Sequence, residues 1–521
     1  MAKSMLVIGA GIAGLSTGCY ARMNGYETQI FELHDKPGGL CTAWSRDGYT
    51  FDNCVQWLVG SSPRNRFYQI WEELGAVQGR QFVYHDEFTR YEGKNGKTLI
   101  VYNDPDRLEQ HMLELSPADR AHIHRFTQAI RHLQDFQFPS REHRTGLSGL
   151  AHYVADLAKM LPGVPEFARY RNTSVKDFVA DFEDPFLREA LVGVIDIDEF
   201  PVLALLCTLA WLSTRVSGYP LGGSRAFARA IERRFLDLDG KIHYDRRVQT
   251  VLVERDRAVG VRLTDGTEHR ADVVVSAADG RSTIFDMLDG KYVDNEIRRR
   301  YAEQPRFQPL VRVSIGVRRD LAGEAHSVSM HLKEPISVAG VTETRMGILL
   351  YSFDPSMSPA GASSVVAAFG TSFQWWKNLH SDPAAYATEK RNLADAVISA
   401  LEHRWPGFRE QVEVVDVATP VTYERYTGNW EGSPEGWLVD HDSLLQQGYS
   451  DTLPGLASFH MVGQWVCPGG GLPPAAMSGR QLIEKLQHEA GQDFVTALPP
   501  LDQAAARAHA ARTHAEAADH K

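Results

Sequence analysis

The N-terminal residues show a short apolar run, a glycine-rich turn and then a helical pattern. Met5–Ile8 is apolar throughout, Ile12–Met23 carries small and apolar residues at helical spacing, and Thr28–Phe31 follows as a second strand pattern. A short apolar run bounded by turn residues is typical of a strand that is buried on both faces. The order strand, helix, strand therefore predicts a parallel βαβ unit of the kind with which nucleotide-binding domains begin.

Helical and strand patterns follow one another along the rest of the chain. The periodicity predicts helices at Ser116–Phe136, Leu150–Leu161, Val175–Val194, Arg225–Leu236 and Ala384–Arg404. It predicts strands at Ile242–Tyr244, Gln249–Glu254, Ala258–Leu263, Val273–Ser276, Val311–Val317, Ser364–Phe369 and Val412–Val417. Residues Ala457–Leu486 again show a strand, a glycine-rich turn and a long helix, which indicates a return to the nucleotide-binding domain.

The first glycine turn has the spacing of a dinucleotide fingerprint. Gly9, Gly11 and Gly14 enclose Ala10, Ile12 and Ala13, directly after the first strand and at the start of the helix. Such glycines allow a tight turn, a close approach of the backbone to a pyrophosphate, and close packing of helix on strand. The start of the helix then stabilises the phosphate charge. Glu32, 18 residues beyond Gly14, is placed to accept both ribose hydroxyls and disfavours a 2′-phosphate, so the expected nucleotide is FAD or NAD.

A second glycine pair, Gly38-Gly39, precedes Leu40 shortly after Glu32. A plain turn would explain it. The functional interpretation is a loop whose backbone approaches the pyrophosphate from the opposite side, a feature of FAD enzymes, and we expect FAD as the cofactor.

Four further stretches carry a family resemblance. They are Phe459–Arg480, Gly218–Ser224, Val273–Ala278 and Thr419–Thr427. They resemble the phytoene desaturase, carotenoid isomerase and retinol saturase family of flavin oxidoreductases, over roughly residues 5–490. The loop at Gly38-Gly39, together with Phe51-Asp52, is similar to the wider flavin oxidoreductase superfamily that includes amine oxidases and carotenoid desaturases.

The resemblance implies further cofactor contacts. It places Gly463 and Gln464 at the ribityl and phosphate part of FAD, and directs the helix that begins near Gly471, Leu472 and Pro473 at the pyrimidine edge of the flavin. Many flavin enzymes of this class carry Asp where this chain has Gln464. Val248 completes the expected cofactor-binding set.

The expected fold class is α/β, a Rossmann-like FAD-binding domain built from three chain segments with an inserted α+β substrate domain. The FAD-binding segments are expected at 1–104, 216–295 and 446–497. The substrate domain is expected at 105–215, mainly helical, and at 296–445, mainly sheet, and a mobile tail at 498–521.

Charge and composition exclude some partners. With 55 basic and 66 acidic residues the net charge is −11, which disfavours nucleic acid. The five cysteines form no Cys-x-x-Cys pair, so we expect reduced thiols and no metal. The apolar run Val202–Leu212 is about half the length that spans a bilayer. A cytoplasmic location, with at most peripheral membrane contact, is expected.

The sequence shows no acid–base machinery, so the flavin itself is expected to carry the redox chemistry. Tyr423, Arg425 and Trp465 are the candidate catalytic side chains, although Arg425 has the alternative of a surface ion pair with Glu424 or Glu431. The expected substrate-lining residues are Gln56, Trp57, Trp211, Tyr219, Tyr423, Tyr426 and Trp465. Core packing would explain any one of these aromatic residues; together they suggest an apolar tunnel.

By this resemblance the protein is expected to be an FAD-dependent oxidoreductase that desaturates or saturates carbon–carbon bonds of an apolar isoprenoid or polyene. Three alternatives stay open. They are a redox-neutral isomerase or hydratase of a conjugated double bond, an oxidase of an amine or other small metabolite, and a prenyl-lipid-binding escort protein without catalysis. The oligomeric state is left open.

Overall fold

The computed structural model describes residues 2–136, 161–195, 200–438 and 448–500. Its nucleotide-binding part is built on a parallel sheet whose neighbouring strands are, in spatial order, Lys241–His243, Glu27–Phe31, Ser4–Ile8, Val273–Ser276 and Phe459–Met461. These strands come from three separate stretches of the chain. The Rossmann-like fold expected from the sequence is therefore confirmed.

The helices around this sheet pack closely because small residues face their neighbours. Ile12–Met23 lies between Gly223–Asp237 and Leu472–Glu489. A Cβ atom on Gly18 would lie 2.8 Å from the ring of Phe235. One on Gly479 would lie 2.7 Å from the backbone nitrogen of Thr17. Larger side chains at these two glycines would push the helices apart.

The second layer is a seven-stranded mixed sheet. Its strands lie in the order Val412–Ala418, Leu310–Val317, Ser363–Gly370, Val341–Leu350, Ser327–Val338, Glu87–Glu92 and Thr98–Tyr102. The pairing is antiparallel except between Ser327–Val338 and Glu87–Glu92. The helix Pro383–Arg404 packs on one face and buries Leu393, Val397 and Leu401.

Helices form a third cluster beside this sheet. They are Pro105–Leu115, Arg120–His132, Val164–Tyr170, Val175–Val179, Pro185–Gly193 and Val202–Ser213. The apolar run Val202–Leu212 lies in the last of these helices, and most of its side chains are buried. Of the predicted helix at Leu150–Leu161, residues 150–160 lie outside the described residues.

Two predicted helices differ from the observed ones at prolines. The prediction at Ser116–Phe136 was too long: Ser116 ends one helix, Pro117–Asp119 forms a 3₁₀ turn, and the next helix is Arg120–His132. The prediction of one continuous helix at Val175–Val194 was wrong. Asp184 caps a new helix within this range by accepting a hydrogen bond from the Phe186 N–H at 2.6 Å. Proline at the first helical position favours such a restart.

Shorter elements connect these layers. The remaining strands are Ala43–Arg46, Tyr49–Asp52, Leu58–Val59, Phe82–Val83, Ser217–Pro220, Val248–Glu254, Arg257–Leu263 and Glu268–Arg270. The remaining helices are Phe67–Glu73, Asn295–Glu303, Phe373–Leu379 and Pro420–Thr427, with a π-helical turn at Ser282–Met287 and 3₁₀ turns at Leu161–Gly163, Arg409–Gln411 and Trp430–Gly432.

Two features bear on the domain boundaries. The hairpin Glu87–Glu92/Thr98–Tyr102 lies in the seven-stranded sheet, although 1–104 was expected to be the first FAD-binding segment. Ile297, on the helix Asn295–Glu303, belongs to the same buried cluster as Leu6 and Ile8 of the parallel-sheet layer. We therefore propose that the first segment ends near residue 86 and the second near residue 303. Residues 501–521 of the expected mobile tail lie outside the described residues.

None of the described helices is long and apolar enough to cross a membrane.

Candidate active site

The two glycine loops predicted from the sequence lie against each other. The Gly38 N–H donates to the carbonyl of Ala10 at 2.8 Å, and Gly11 and Gly38 form an isolated β-bridge. Gly9, at φ +96°, makes the turn that a side chain would strain. A Cβ on Gly14 would lie 2.0 Å from the Gly9 carbonyl oxygen, so this glycine serves packing and not ligand contact.

The loops open onto one cleft. Its walls include most of the predicted cofactor-binding residues, namely Gly9, Gly11, Ile12, Ala13, Glu32, Gly38, Gly39, Leu40, Val248, Gly463, Gln464, Gly471 and Leu472. Gly14 and Pro473 are outside its described lining. The structure thus brings together residues that are more than 400 positions apart in the sequence.

Two helices begin at glycines in this cleft. Gly11 precedes Ile12–Met23 and Gly471 precedes Leu472–Glu489, and neither helix start has a side-chain cap. A Cβ on Gly11 would meet nothing closer than the Gly38 carbonyl oxygen at 4.0 Å. The space beside Gly11 is therefore left free by the protein, and an uncapped helix start there is suited to a phosphate group.

Glu32 lies at the end of the second parallel strand and is 5% exposed. Its carboxylate accepts the Ala10 N–H at 2.6 Å and the His34 N–H at 2.9 Å. Burial raises the pKa of Glu32 from its ordinary value, and the backbone N–H groups oppose that effect. The side chain is thus fixed between the glycine turn and the cleft.

The C-terminal glycine turn is fixed by its own helix. Gly463, at φ +93°, donates its N–H to the Ser478 hydroxyl at 2.9 Å. Ser478 belongs to the helix Leu472–Glu489, so the turn that carries Gln464 and the start of that helix keep a fixed separation. This arrangement is what a cofactor contacted by both would require.

Trp465 forms part of the cleft wall and of an aromatic cluster. Its ring centroid lies 5.1 Å from that of Trp437, 6.2 Å from Trp430 and 6.3 Å from Tyr301. The indole is 3% exposed, and its Nε1 has no hydrogen-bond partner within the described protein. A buried donor without a partner is suited to a ligand acceptor.

Two carboxyl groups of the cleft were not singled out from the sequence. Asp279 accepts the Ser282 N–H at 2.7 Å and the Trp430 N–H at 3.0 Å, and burial raises its pKa to about 6. Burial also raises the pKa of Glu435, to about 7, although nearby Arg312 lowers it. Glu435 follows Gly432-Ser433-Pro434, a sequence that indicates a surface turn, and no local signal marks the turn as part of a cleft.

Glu435 lies beside the second helix start. A Cβ on Gly470 would lie 2.0 Å from its carboxyl oxygen Oε2, so the carboxyl group packs against the backbone just before Gly471. Gly436 in turn packs on Gln464. The carboxyl group is thus held where Gln464, Gly471 and the cleft meet.

Most of the predicted substrate-lining residues are elsewhere. Within the described chain, Trp465 lines this cleft, whereas Gln56, Trp57, Trp211, Tyr219, Tyr423 and Tyr426 do not. Trp211 packs in the helical cluster and donates to the Phe136 carbonyl at 3.1 Å. Trp57 packs on Phe88 with ring centroids 5.3 Å apart. These contacts support the core-packing alternative.

The other members of that set have equally specific surroundings. Tyr219 is 1% exposed and packs on Phe353, whereas Gln56 is exposed. Tyr423 donates its hydroxyl to Asn53 Oδ1 at 2.9 Å, next to Cys54 of the cleft wall. Tyr426 is 44% exposed and lies 4.8 Å from the ring of His34.

Arg425 is exposed and lies over the Tyr426 ring. The two acids suggested as its partners pair with other residues: Glu424 with Lys377 at 2.6 Å and Glu431 with Arg306 at 2.9 Å. Arg425 is not part of the cleft wall among the described residues, so its candidate role near the flavin has no support from its position.

The geometry of the cleft fits FAD. An uncapped helix start with free space beside Gly11, the buried carboxylate of Glu32 and the unpartnered Trp465 indole line one continuous cleft. Across the described residues, no group of three or more His, Cys, Asp or Glu side chains is arranged to hold a metal.

Known proteins support this assignment. The family model of flavin containing amine oxidoreductases matches residues 12–481. The chain is 24% identical to a chloroplastic prolycopene isomerase of Daucus carota, over 96% of this chain and 82% of that protein. It is 25% identical to a lycopene-forming phytoene desaturase of Pseudescherichia vulneris, over 93% of this chain and 100% of that protein.

Solved structures agree on the fold. An oxidoreductase from Methanosarcina mazei has a TM-score of 0.59 at 17% identity, over 92% of this chain and 100% of that one. A putrescine oxidase variant has a TM-score of 0.60 at 13% identity, over 94% of this chain and 99% of that one. With a family match over most of its length, the chain belongs to the flavin containing amine oxidoreductases, within their phytoene desaturase and carotenoid isomerase-like branch, and is an FAD-dependent oxidoreductase rather than a non-catalytic carrier.

Proposed function

We propose that this enzyme transfers hydride at a carbon–carbon bond of a long apolar isoprenoid or polyene. The observation that carries the proposal is the cleft itself, in which a phosphate-binding helix start and an apolar wall containing Trp465, Val462 and Leu472 share one space. The relatives named as phytoene desaturases and prolycopene isomerases, which match nearly the whole chain, support the substrate class.

FAD, when bound, accepts or returns the hydride. The residues of the chain bind and orient it. In our proposal the Glu32 carboxylate accepts the ribose hydroxyls, the helix start at Gly11 stabilises the pyrophosphate, and Gln464 contacts the ribityl chain. The helix that begins at Leu472 would stabilise negative charge on the flavin ring system.

Glu435 is the residue that we propose moves a proton. Desaturation removes a hydride from one carbon and a proton from its neighbour, and the pair of electrons left behind forms the new double bond. A carboxylate at Glu435 accepts that proton. Because its pKa is about 7, both the acid and the base form are populated near neutral pH, as acid–base catalysis requires.

A redox-neutral isomerase is the second candidate. It is favoured by the prolycopene isomerases among the relatives and by the same Glu435, which in its acid form would donate a proton to a polyene and then remove one. The family name and the putrescine oxidase fold leave amine oxidation compatible with the site, but the carotenoid relatives do not favour it.

Product analysis separates these candidates. The purified enzyme is incubated with phytoene, prolycopene and putrescine, once with oxidised and once with dithionite-reduced flavin. A desaturase forms a product that has lost two hydrogens, with oxidised flavin. An isomerase forms a product of unchanged mass, with reduced flavin. Turnover of putrescine alone would contradict the proposal.

We also infer that the enzyme contacts membranes at their surface, because a long apolar substrate is stored in lipid. Sedimentation with lipid vesicles tests this inference. Binding that salt or mild detergent reverses is the expected result, and no binding to vesicles loaded with polyene would contradict it.

A further inference from the structure

Two helices of the nucleotide-binding part begin at the cleft. They are Ile12–Met23, which we call the N-terminal helix, and Leu472–Glu489, which we call the C-terminal helix. They follow Gly11 and Gly471, which both line the cleft, and neither helix start has a side-chain cap. The separation of the two helix starts therefore decides whether one ligand can contact both.

The two helices cross each other one to two turns after their starts. The Ser16 hydroxyl donates to the Ala476 carbonyl at 2.6 Å. A Cβ atom on Gly479 would lie 2.7 Å from the backbone nitrogen of Thr17, so the two backbones touch there without an intervening side chain. A crossing point fixes the distance between two helices, whereas the angle between them is fixed best by contacts at the far ends, where the lever arm is longest.

Asn24 joins the far ends of the two helices. It is the C-cap residue of the N-terminal helix, and its backbone carbonyl accepts a hydrogen bond from Gln487 Nε2 at 2.9 Å. Gln487 lies in the last turn of the C-terminal helix and is 2% exposed. The Asn24 side-chain amide donates to the Tyr20 carbonyl at 2.8 Å, which fixes its conformation on its own helix.

An extended segment closes this contact from the outside. We call residues 492–497 the strap. Asn24 Oδ1 accepts the Val495 N–H at 2.8 Å, and Asn24 Nδ2 donates to the Val495 carbonyl at 2.9 Å. The Gln492 N–H donates to the Gln487 carbonyl at 2.9 Å. The strap is thus hydrogen-bonded to the ends of both helices.

The ring of Phe494 adds an apolar contact between the strap and both helices. Its centroid lies 5.9 Å from that of Tyr20 on the N-terminal helix. The guanidinium carbon of Arg480, on the C-terminal helix, lies 5.0 Å from the same centroid. The strap is also fastened further along, because Arg234 Nη2 donates to the Ala497 carbonyl at 2.5 Å.

The far contact and the cleft are joined by rigid elements. The N-terminal helix has 12 residues, so its two ends lie about 18 Å apart. Rigid secondary structure carries coupling over such distances. We propose that Asn24 and the strap hold the two helix starts at the separation that FAD requires. Asn24 lies outside the described lining of the cleft, so it is a positioning residue that acts through the helices. The proposal does not depend on the substrate.

Thermodynamic linkage makes this coupling reciprocal. If the closed contact at Asn24 favours FAD binding, bound FAD favours the closed contact by the same factor. The amide hydrogens of Gln492 and Val495 report whether the contact is closed, because their acceptors are the Gln487 carbonyl and Asn24 Oδ1.

Titration of apoprotein variants with FAD is the first test. Asn24→Ala removes the three side-chain hydrogen bonds of Asn24. Glu402→Ala is the matched control, because Glu402 accepts the N–H groups of Gly407 and Arg409 at the end of another helix, Pro383–Arg404. Both variants should unfold at a lower temperature than wild type. Asn24→Ala should raise the Kd for FAD about 3- to 30-fold, whereas Glu402→Ala should keep the wild-type Kd.

Hydrogen exchange of the wild-type protein, followed by mass spectrometry with and without FAD, is the second test and needs no variant to fold. Bound FAD should slow exchange in peptides that cover the strap, and should leave exchange in the peptide of Gly407 and Arg409 unchanged. Strap exchange that FAD does not slow would overturn the proposal. So would a folded Asn24→Ala protein with the wild-type Kd, or equal weakening of FAD binding by Asn24→Ala and Glu402→Ala, which would show a general loss of stability.

Discussion

Replacing Glu32 tests the assignment of the nucleotide site most sharply. The carboxylate has two functions in our account: it accepts the N–H groups of Ala10 and His34 within the protein, and it accepts the ribose hydroxyls of FAD. Glu32→Ala removes both functions. Glu32→Gln keeps the shape and one acceptor oxygen but loses the charge.

The structure gives the scale of each effect. In Glu32→Ala the buried N–H groups of Ala10 and His34 lose their acceptor, at a cost of about 1–3 kcal/mol each before water enters, so the apoprotein should unfold at a lower temperature. Loss of the ribose contact should cost FAD binding about 1–3 kcal/mol, or about a 5- to 150-fold higher Kd. Glu32→Gln should fall between wild type and the alanine variant.

The assay is a fluorescence titration of apoprotein with FAD, combined with thermal unfolding of the same apoprotein. Glu27→Gln is the matched control, because Glu27 is an exposed acid on the same strand. Its Kd and unfolding temperature should equal those of wild type. A folded Glu32→Ala protein whose Kd for FAD is within about twofold of wild type would refute the ribose assignment.

Three further predictions follow from the same cleft. Gly11→Ala should fold normally but bind FAD at least about tenfold more weakly, because its Cβ enters the free space of the cleft. Gly14→Ala should fold poorly, because its Cβ would lie 2.0 Å from the Gly9 carbonyl oxygen. Equal FAD affinity of Gly11→Ala and wild type in the titration would contradict the first expectation. FAD should be bound noncovalently, so acid precipitation should release all flavin absorbance to the supernatant; colour in the pellet would show a covalent link. Glu435→Gln should slow single-turnover flavin reduction by about 100-fold or more, and its rate should no longer change with pH near pH 7. A variant whose rate depends on pH as that of wild type does would exclude a proton-transfer role.

The raised pKa of Glu435 also has a consequence for stability in the apoprotein. The folded state binds this proton more tightly than the unfolded chain does. The stabilisation is therefore fully present below the ordinary carboxyl pKa and is lost as the pH rises through about 7. Thermal unfolding should thus show the wild-type apoprotein losing stability relative to Glu435→Gln between about pH 5 and pH 8.

The nucleotide-binding half was predictable because its signals are local. Gly9, Gly11, Gly14 and Glu32 lie within one βαβ unit, and its strand and helix bounds are nearly those predicted. The break before Pro185 was also signalled, by the preceding Asp184, although the apolar pattern masked it.

The rest of the site depends on contacts between distant parts of the chain. Trp211 and Trp57 were included because they fall in or beside segments that the family resemblance places around the flavin or at the domain boundary, but an aromatic type does not tell which face of an element it occupies. Glu435 became recognisable once the turns on either side of the cleft were brought together by the fold. The approach of such separate segments is set by tertiary packing.

The most direct test of hydride transfer at a carbon–carbon bond is an anaerobic single turnover. Wild-type enzyme with oxidised FAD is mixed with phytoene in detergent micelles, and the visible absorbance of the flavin is followed while the products are analysed. The account predicts loss of the oxidised-flavin absorbance in step with formation of one new double bond per flavin reduced. Unchanged flavin absorbance with phytoene, but bleaching with putrescine, would contradict it.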